Sequence, residues 1–121
     1  MAEGRRVKRY ADMLKRVVSE VLEFKLKDPN KGMITITRVK VSPDLRVATF
    51  YYTVLGDEKQ RDKTRQVLER SKSFIRNEIK PFITSRWLPE LRFFYDETMD
   101  YAERIDSLLK SIKNDADSEE E

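Results

Sequence analysis

The residue types that most often carry out catalysis are scarce in this sequence. The 121-residue chain has no histidine and no cysteine, which removes the commonest general base, the commonest metal ligand and every thiolate. Three acids lie close together, Asp96, Glu97 and Asp100, and such a group could hold Mg²⁺ in a nuclease. The same acids also suit a strand end followed by helix-capping residues. We therefore expect no enzyme activity, no catalytic residue, no metal and no cofactor, with a nuclease as the alternative.

Basic residues are the more abundant candidates for a function. The chain carries 25 Lys and Arg against 22 Asp and Glu, and five of these acids lie in the segment 114–121, NDADSEEE. Residues 1–113 therefore hold 25 bases against 17 acids, a net charge of +8. A domain this basic favours a polyanionic partner, although the charge could also serve only solubility. No apolar run is long enough to cross a membrane, so we expect a cytoplasmic protein with no membrane partner.

Two groups of basic residues are candidate RNA contacts. The first lies on a predicted amphipathic helix from Arg5 to about Lys25, where cations in the first turns oppose the helix dipole and are not required for stability. The second surrounds Ser71-Lys72-Ser73, whose serines predict a bend between two helices. Solvated helix faces, with ion pairs to nearby acids, are the alternative for both groups. The candidates are Arg5, Arg6, Lys8, Arg9 and Arg16 in the first group and Arg70, Lys72, Arg76 and Lys80 in the second.

A β-hairpin is predicted over residues 31–56. Two runs rich in β-branched and aromatic residues flank Ser42-Pro43-Asp44-Leu45, which is typical of a type I turn. The apolar residues of the first run change face between Ile36 and Val39. One extra residue near Thr37-Arg38 would restore the alternation, so we expect a β-bulge there.

The rest of the chain supplies helices and a third strand. Asp57 is a predicted N-cap for the helix that bends at residues 71–73. A strand over 91–96 follows, and the long helical crossover would allow it to pair in parallel with the first strand. A last helix is predicted from about Tyr101, and the acidic segment 114–121 should be disordered. The expected fold class is α+β, in the order α-β-β-α-α-β, with a kinked helix pair, a three-stranded sheet and a C-terminal helix.

Aromatic residues leave two further functions open. Tyr51 and Tyr52 could stack on RNA bases if one face of the sheet is uncovered, although cross-strand packing is the simpler interpretation. Trp87, close to Pro89, could dock a protein partner, although a Trp in a loop more often closes a core. Salt distinguishes the two kinds of partner, because nucleic-acid binding weakens steeply as salt rises.

The order of elements and several motifs resemble the ribosome-binding factor A family. The similarity spans about Arg5 to Ile112, and its most recognisable run is Ile36–Leu45, ITRVKVSPDL. The other matching pieces are Arg5-Arg6-Val7, Lys27-Asp28-Pro29, Ala48, Val54-Leu55-Gly56, Phe74-Ile75-Arg76, Pro89-Glu90-Leu91, Phe94-Tyr95-Asp96, Arg104-Ile105 and Leu108-Leu109.

The resemblance implies a type II KH-like, ribosome-binding domain over residues 1–113, with 114–121 as a disordered acidic tail. It implies a bacterial assembly factor that binds the immature small ribosomal subunit, near the decoding region and the 5′ end of its ribosomal RNA. Such a factor aids late rRNA maturation, especially in the cold, and acts by binding, with no reaction of its own. Nothing in the sequence pattern demands a dimer, so we expect a monomer, and we expect no small-molecule substrate. A general RNA-binding or protein-interaction module with a KH-like fold is the alternative.

One feature of the KH-like family is missing from the sequence. An ordinary KH domain clamps the RNA backbone with a Gly-x-x-Gly loop, but the three glycines here are Gly4, Gly32 and Gly56. Ribosome-binding factor A usually has Ala-x-Gly at the bend where this chain has Ser71-Lys72-Ser73. Without that glycine the backbone approaches a phosphate less easily, so we expect side chains to make more of the phosphate contacts.

Overall fold

The computed structural model describes residues 2–119, apart from the side chains of residues 2–3, 99–100 and 114–119. The order α-β-β-α-α-β with a final helix is the predicted one, and the α+β class is confirmed. The elements are α1 (Ala2–Glu20), a π-helical turn (Val21–Lys25), β1 (Ile34–Val41), β2 (Val47–Val54), α2 (Glu58–Arg70), α3 (Lys72–Ile79), a 3-10 turn (Lys80–Phe82), β3 (Glu90–Tyr95) and α4 (Thr98–Glu119).

The first helix ends close to the predicted position, but its last turn is π-helical. The backbone N–H of Leu26 donates to the Val21 carbonyl at 2.8 Å. The Lys31 ammonium group then donates to the carbonyl oxygens of Leu22 at 2.6 Å and of Leu26 at 2.9 Å. These carbonyls lie where a helix runs out of backbone donors, so Lys31 stabilises the helix end.

A β-bulge divides β1 at the predicted place. In the antiparallel pairing with β2, Ile36 lies opposite Tyr52 and Arg38 lies opposite Tyr51, which leaves Thr37 as the extra residue. The bulge keeps the apolar residues of both halves of β1 on the face that packs against the helices, and it directs Arg38 to the other face. Those apolar residues are Ile34, Ile36, Val39 and Val41.

The third strand pairs with β2 and not with β1, so the predicted partner was wrong. β3 runs parallel to β2, and therefore in the opposite direction to β1, and the strand order is β1-β2-β3. The crossover through α2 and α3 returns the chain beside the strand that it left. Aromatic side chains fix this pairing, because the rings of Phe50 and Phe93 stack at 5.2 Å and those of Tyr52 and Tyr95 meet edge to face at 5.8 Å. Cross-strand packing is therefore the role of Tyr52.

Local hydrogen bonds confirm the predicted turn and cap. The Leu45 N–H donates to the Ser42 carbonyl at 2.9 Å, and the Ser42 hydroxyl donates to the Asp44 carboxylate at 2.7 Å. At the start of α2, the Asp57 carboxylate accepts the backbone N–H of Gln60 at 3.0 Å. Both features are set by residues close together in the chain, which explains why their sequences predict them.

The predicted bend lies at Ser71, between α2 and α3. Ser71 is buried and has φ −97° and ψ 0°, outside helical geometry. Its N–H still donates to the Val67 carbonyl at 3.0 Å, and its own carbonyl accepts the N–H of Ile75 at 2.9 Å. The chain therefore changes direction without leaving these backbone groups unpaired.

The core lies between one face of the sheet and the helices. α1 packs on β1 and α3, and α2 packs on β2 and β3. The largest fully buried apolar side chains in the described part are Phe50, Leu14, Leu68, Ile75, Ile79 and Leu91.

The final helix, α4, is set apart from this core. All of its side chains from residue 101 to residue 113 are exposed. Disorder was predicted for residues 114–121, whereas the backbone of residues 114–119 continues α4; residues 120–121 lie outside the described part. No helix within residues 2–119 combines the length and the apolar character needed to cross a bilayer. The exposed apolar residues of α4 are Tyr101, Ile105, Leu108, Leu109 and Ile112.

Candidate nucleic-acid interface

The first group of predicted contacts lies on the exposed side of α1. All five side chains are exposed, because the inner side of the helix is taken up by core residues. Among the described residues, none of them forms an ion pair or a hydrogen bond, so their charges are not neutralised by a neighbouring carboxylate. They are Arg5, Arg6, Lys8, Arg9 and Arg16.

Three of these arginines line a cleft of about 510 Å³. The cleft lies between the start of α1, the hairpin turn and the loop that follows α3, and none of the described side chains that line it is acidic. Unpaired guanidinium groups can each donate two parallel hydrogen bonds to a phosphate, so the cleft is chemically suited to an anion. The lining residues are Arg5, Arg6, Arg9, Tyr10, Met13, Leu45, Phe82, Thr84 and Ser85.

The walls of the cleft join parts of the chain that are distant in sequence. The Tyr10 hydroxyl lies 3.3 Å from the Ser85 hydroxyl, and the Tyr10 and Leu45 side chains are buried beneath the arginines. Phe82, in contrast, is about half exposed at the edge of the cleft. The site therefore combines cations with an accessible aromatic ring, as nucleic-acid sites do.

The second group of predicted contacts is mostly engaged within the protein. Arg70 donates to the Asp28 carboxylate at 2.7 Å, and the Lys72 ammonium group lies 2.9 Å from a Glu69 carboxylate oxygen. Lys80 is exposed and has no partner among the described residues. The two groups therefore differ: the α1 residues are available to a ligand, whereas Arg70 and Lys72 already have an anionic neighbour.

The guanidinium group of Arg76 holds the loop that leads into β3. It is half-buried, and it donates to the Pro89 carbonyl at 3.1 Å and to the Leu88 carbonyl at 3.3 Å. This position gives Arg76 a structural role that its place in the sequence did not predict.

A second basic and aromatic cluster was missed in the sequence. The guanidinium groups of Arg46 and Arg86 lie 4.7 Å and 5.0 Å from the centre of the Trp87 ring, which is 45% exposed. The Ser85 hydroxyl, which lines the arginine cleft, donates to the Trp87 carbonyl at 3.0 Å. The sequence shows Arg86 next to Trp87, which could have indicated this cluster, but only the fold brings Arg46 to the Trp87 ring.

Asp96, one of the three acids considered for a metal site, has another role. The Thr37 hydroxyl lies 2.5 Å from one Asp96 carboxylate oxygen, and the backbone N–H of Thr98 donates to the other at 2.9 Å. The hydrogen bond from Thr37 and those from Thr98 lower the pKa of Asp96 to about 2. Asp96 thus caps the start of α4 and stabilises the end of the sheet. Among described residues, no three acids are grouped to bind a metal, and the Asp100 side chain lies outside them.

The fold and the site define a class of protein, a small α+β domain with an arginine-lined cleft on its first helix. Comparison with known proteins gives the family. The family described as ribosome-binding factor A matches residues 6–109. A ribosome-binding factor A from Macrococcus caseolyticus is 43% identical over 110 residues, which cover 91% of this chain and 96% of that protein. The chain belongs to the ribosome-binding factor A family.

Solved structures show the same fold. The solution structure of a Thermotoga maritima protein assigned to ribosome-binding factor A has a TM-score of 0.68 at 32% identity, covering 77% of this chain and 89% of that one. A homology model of Thermus thermophilus ribosome-binding factor A, fitted into an electron-microscopy map of a 30S complex, has a TM-score of 0.58 at 24% identity, covering 71% of this chain and 90% of that one. Ribosome-binding factor A structures are KH-like, so the KH-like fold expected from the sequence is confirmed.

Proposed function

We propose that this protein is an assembly factor that binds the immature small ribosomal subunit and its ribosomal RNA. It aids late rRNA maturation, especially in the cold. It acts in the cytoplasm as a monomer and catalyses no reaction. Its family membership supports this proposal, and so does the fit of a Thermus thermophilus protein of the same fold into the map of a 30S complex.

The observation that carries the proposal is the cluster of unpaired arginines around the cleft. Arg5, Arg6 and Arg9 present three cations, and the described side chains that line the cleft include no acid. Phosphate contacts of this kind position a protein on RNA and supply most of the affinity that depends on salt. Lys8 and Arg16 extend the same exposed side of α1.

The bend between α2 and α3 contributes less in this proposal. Arg70 and Lys72 would have to leave Asp28 and Glu69 before contacting a phosphate, and Arg76 would have to release two carbonyl groups. Lys80 could make a contact without such an exchange. We therefore rank the α1 residues as the principal RNA contacts and the bend as a secondary surface.

Charge reversal on α1 tests the proposal. The triple variant Arg5→Glu, Arg6→Glu, Arg9→Glu should lose co-sedimentation with purified small subunits at moderate salt. A matched control reverses three exposed lysines elsewhere, Lys27→Glu, Lys59→Glu and Lys63→Glu, and gives the same change in net charge. Circular dichroism would verify that both variants fold. Equal binding by the two variants would contradict the role of the cleft.

A comparison of subunit states tests the assembly role. The wild-type protein should co-sediment with free and immature small subunits more strongly than with whole ribosomes. Cells that lack the protein should accumulate precursor rRNA at low temperature, and the α1 triple variant should not correct this defect. Equal binding to subunits, ribosomes and unrelated duplex RNA would instead indicate a general RNA-binding module.

A further inference from the structure

The sheet has a second face, turned away from the helices, that no described part of the chain covers. Its residues form two rows across the three strands. In the first row, Tyr51 of β2 lies between Arg38 of β1 and Phe94 of β3. We call this surface the outer sheet face. The second row is Lys40, Thr49 and Arg92.

The two rings of the first row lie side by side and are accessible. The centres of the Tyr51 and Phe94 rings are 6.2 Å apart, with their planes tilted by 34°. Phe94 is 53% exposed, whereas Tyr51 is half-buried and has the Arg38 guanidinium group over its ring, so Phe94 is the more accessible of the two rings. Within the described residues, α4 makes no extensive contact with β2 or β3.

The core does not require these rings. The neighbouring aromatic pairs of β2 and β3 point inward and already fill the space beneath the helices, with the Phe50 and Phe93 rings stacked at 5.2 Å. Because side chains alternate along a strand, Tyr51 and Phe94 occupy positions where a polar residue would serve as well. Apart from their contact with each other across the strands, their apolar surface is therefore open to a ligand.

The charges of the outer sheet face indicate what kind of ligand it is. The Arg38 guanidinium group lies 4.3 Å from the centre of the Tyr51 ring, and no carboxylate of the described residues lies within ion-pair distance of it. The acid that its charge affects is Asp96, whose pKa is lowered first by hydrogen bonds and also by Arg38. Lys40 is exposed and likewise has no such partner there. Arg92 lies 3.4 Å from a Glu90 carboxylate oxygen, a long and exposed pair that contributes little. Three cations around two rings complement an anionic backbone that carries planar groups.

We propose that the outer sheet face binds single-stranded RNA, with bases stacked on Tyr51 and Phe94 and phosphates bound by Arg38, Lys40 and Arg92. Neighbouring strands lie about 4.8 Å apart, so one row spans about 10 Å, enough for one or two bases. Stacking bases on strand aromatics is how other sheet domains bind unpaired RNA. A duplex does not fit this surface, because the faces of its bases are already stacked on neighbouring bases and cannot contact the two rings. This surface is separate from the α1 cleft, and the proposal rests on the proposed function only in requiring that the protein acts on RNA.

Fluorescence anisotropy with a labelled oligouridine of about eight nucleotides tests the proposal. The double variant Tyr51→Thr, Phe94→Thr keeps strand propensity and changes no residue of the core. Its affinity for the oligonucleotide should fall about tenfold or more, the loss expected for a stacked base. Backbone amide signals of β2 and β3 should shift when oligouridine is added to the wild-type protein. The matched control, Met33→Thr with Leu55→Thr, removes two other exposed apolar side chains and should leave the affinity unchanged.

The outcomes separate this proposal from the α1 cleft. If the ring variant binds oligouridine as the wild type does, or if the wild type does not bind it, the outer sheet face is not an RNA site. Co-sedimentation of the α1 triple variant with small subunits decides the proposed function independently. If the β2 and β3 signals shift with protein concentration and not with RNA, the face binds a second copy of the chain, and the proposal is overturned.

Discussion

The hydroxyl of Thr37 and the carboxylate of Asp96 meet at 2.5 Å across the width of the sheet. Thr37 is the bulged residue of β1, and Asp96 directly follows β3, with β2 lying between these strands. The two outer strands do not share backbone hydrogen bonds, so this side-chain contact links them directly. Because of the bulge, the Thr37 side chain does not follow the regular alternation of side chains along β1. Its hydrogen bond to Asp96 stabilises the end of the sheet.

Removing this hydrogen bond should change the pKa of Asp96. In the variant Thr37→Val, we expect the pKa to rise from about 2 towards the ordinary value of 3.8, since the largest cause of its lowering is lost. A lowered pKa stabilises the fold above pH 3.8, and this contribution is lost as the pH falls towards 2. The wild-type protein should therefore resist acid unfolding in that range better than the variant. Titration of the Asp96 carboxyl carbon by NMR measures the pKa, and Thr35→Val, on the same strand, is the control.

The ion pair between Arg70 and Asp28 should contribute to stability rather than to binding. Each of the variants Arg70→Gln and Asp28→Asn should lower the melting temperature, and the double variant should lose less than the sum of the two. The Asn30 N–H and the Arg70 guanidinium group both lower the pKa of Asp28, so the carboxylate is the form that bonds. Thermal unfolding of the four proteins measures the coupling. Full additivity, together with weaker subunit binding by Arg70→Gln, would show that Arg70 contacts RNA instead.

A substitution on the inner side of α1 should lower the stability of the protein without changing its affinity for small subunits. Leu14 is fully buried, so Leu14→Ala should destabilise the protein by about 3 kcal/mol through lost burial and the cavity that remains. Leu55 is 74% exposed, and Leu55→Ala should change stability by no more than about 0.5 kcal/mol. Chemical denaturation measures both values. The folded Leu14→Ala protein should still bind small subunits with wild-type affinity, and weaker binding would show that the arginines depend on this packing.

Salt should report how many phosphates the α1 cleft contacts. Each neutralised phosphate on a duplex contributes about −0.9 to the slope of log affinity against log salt. If Arg5, Arg6 and Arg9 each bind one phosphate, their conversion to glutamine should make the slope of log affinity against log salt shallower by about 2.7. Binding measured over a range of salt concentrations gives the slope. An unchanged slope with weaker binding would mean that these arginines act by shaping the protein surface.

The sequence predicted local features well and long-range pairings less well. The turn at Ser42, the cap at Asp57, the bulge at Thr37 and the bend at Ser71 were all found, because each depends on residues that are neighbours in the chain. The partner of β3 was predicted wrongly, since both β1 and β2 offered apolar strands and only the packing of aromatic side chains distinguishes them.

In the candidate site, too, local features were predicted from the sequence and long-range contacts were not. Helical spacing was enough to place the α1 arginines on the exposed side of the helix. It could not show that Asp28, 42 residues from Arg70 in the chain, lies within reach of it, or that Arg76 holds the loop before β3. Helical spacing also could not show that Arg46 lies over the Trp87 ring. Charges near one another in sequence are therefore a poor guide to which cations are free.

The extra residue in β1 has a consequence for comparing relatives of this protein. Side chains after the bulge are offset by one from those before it, so Val39 faces the helices and Arg38 faces solvent. A relative lacking one residue there would exchange the two faces of the following half-strand, exposing valines and burying cations. We expect the length of this segment to tolerate less change than the identity of its residues, and an alignment gap placed within it would be an error.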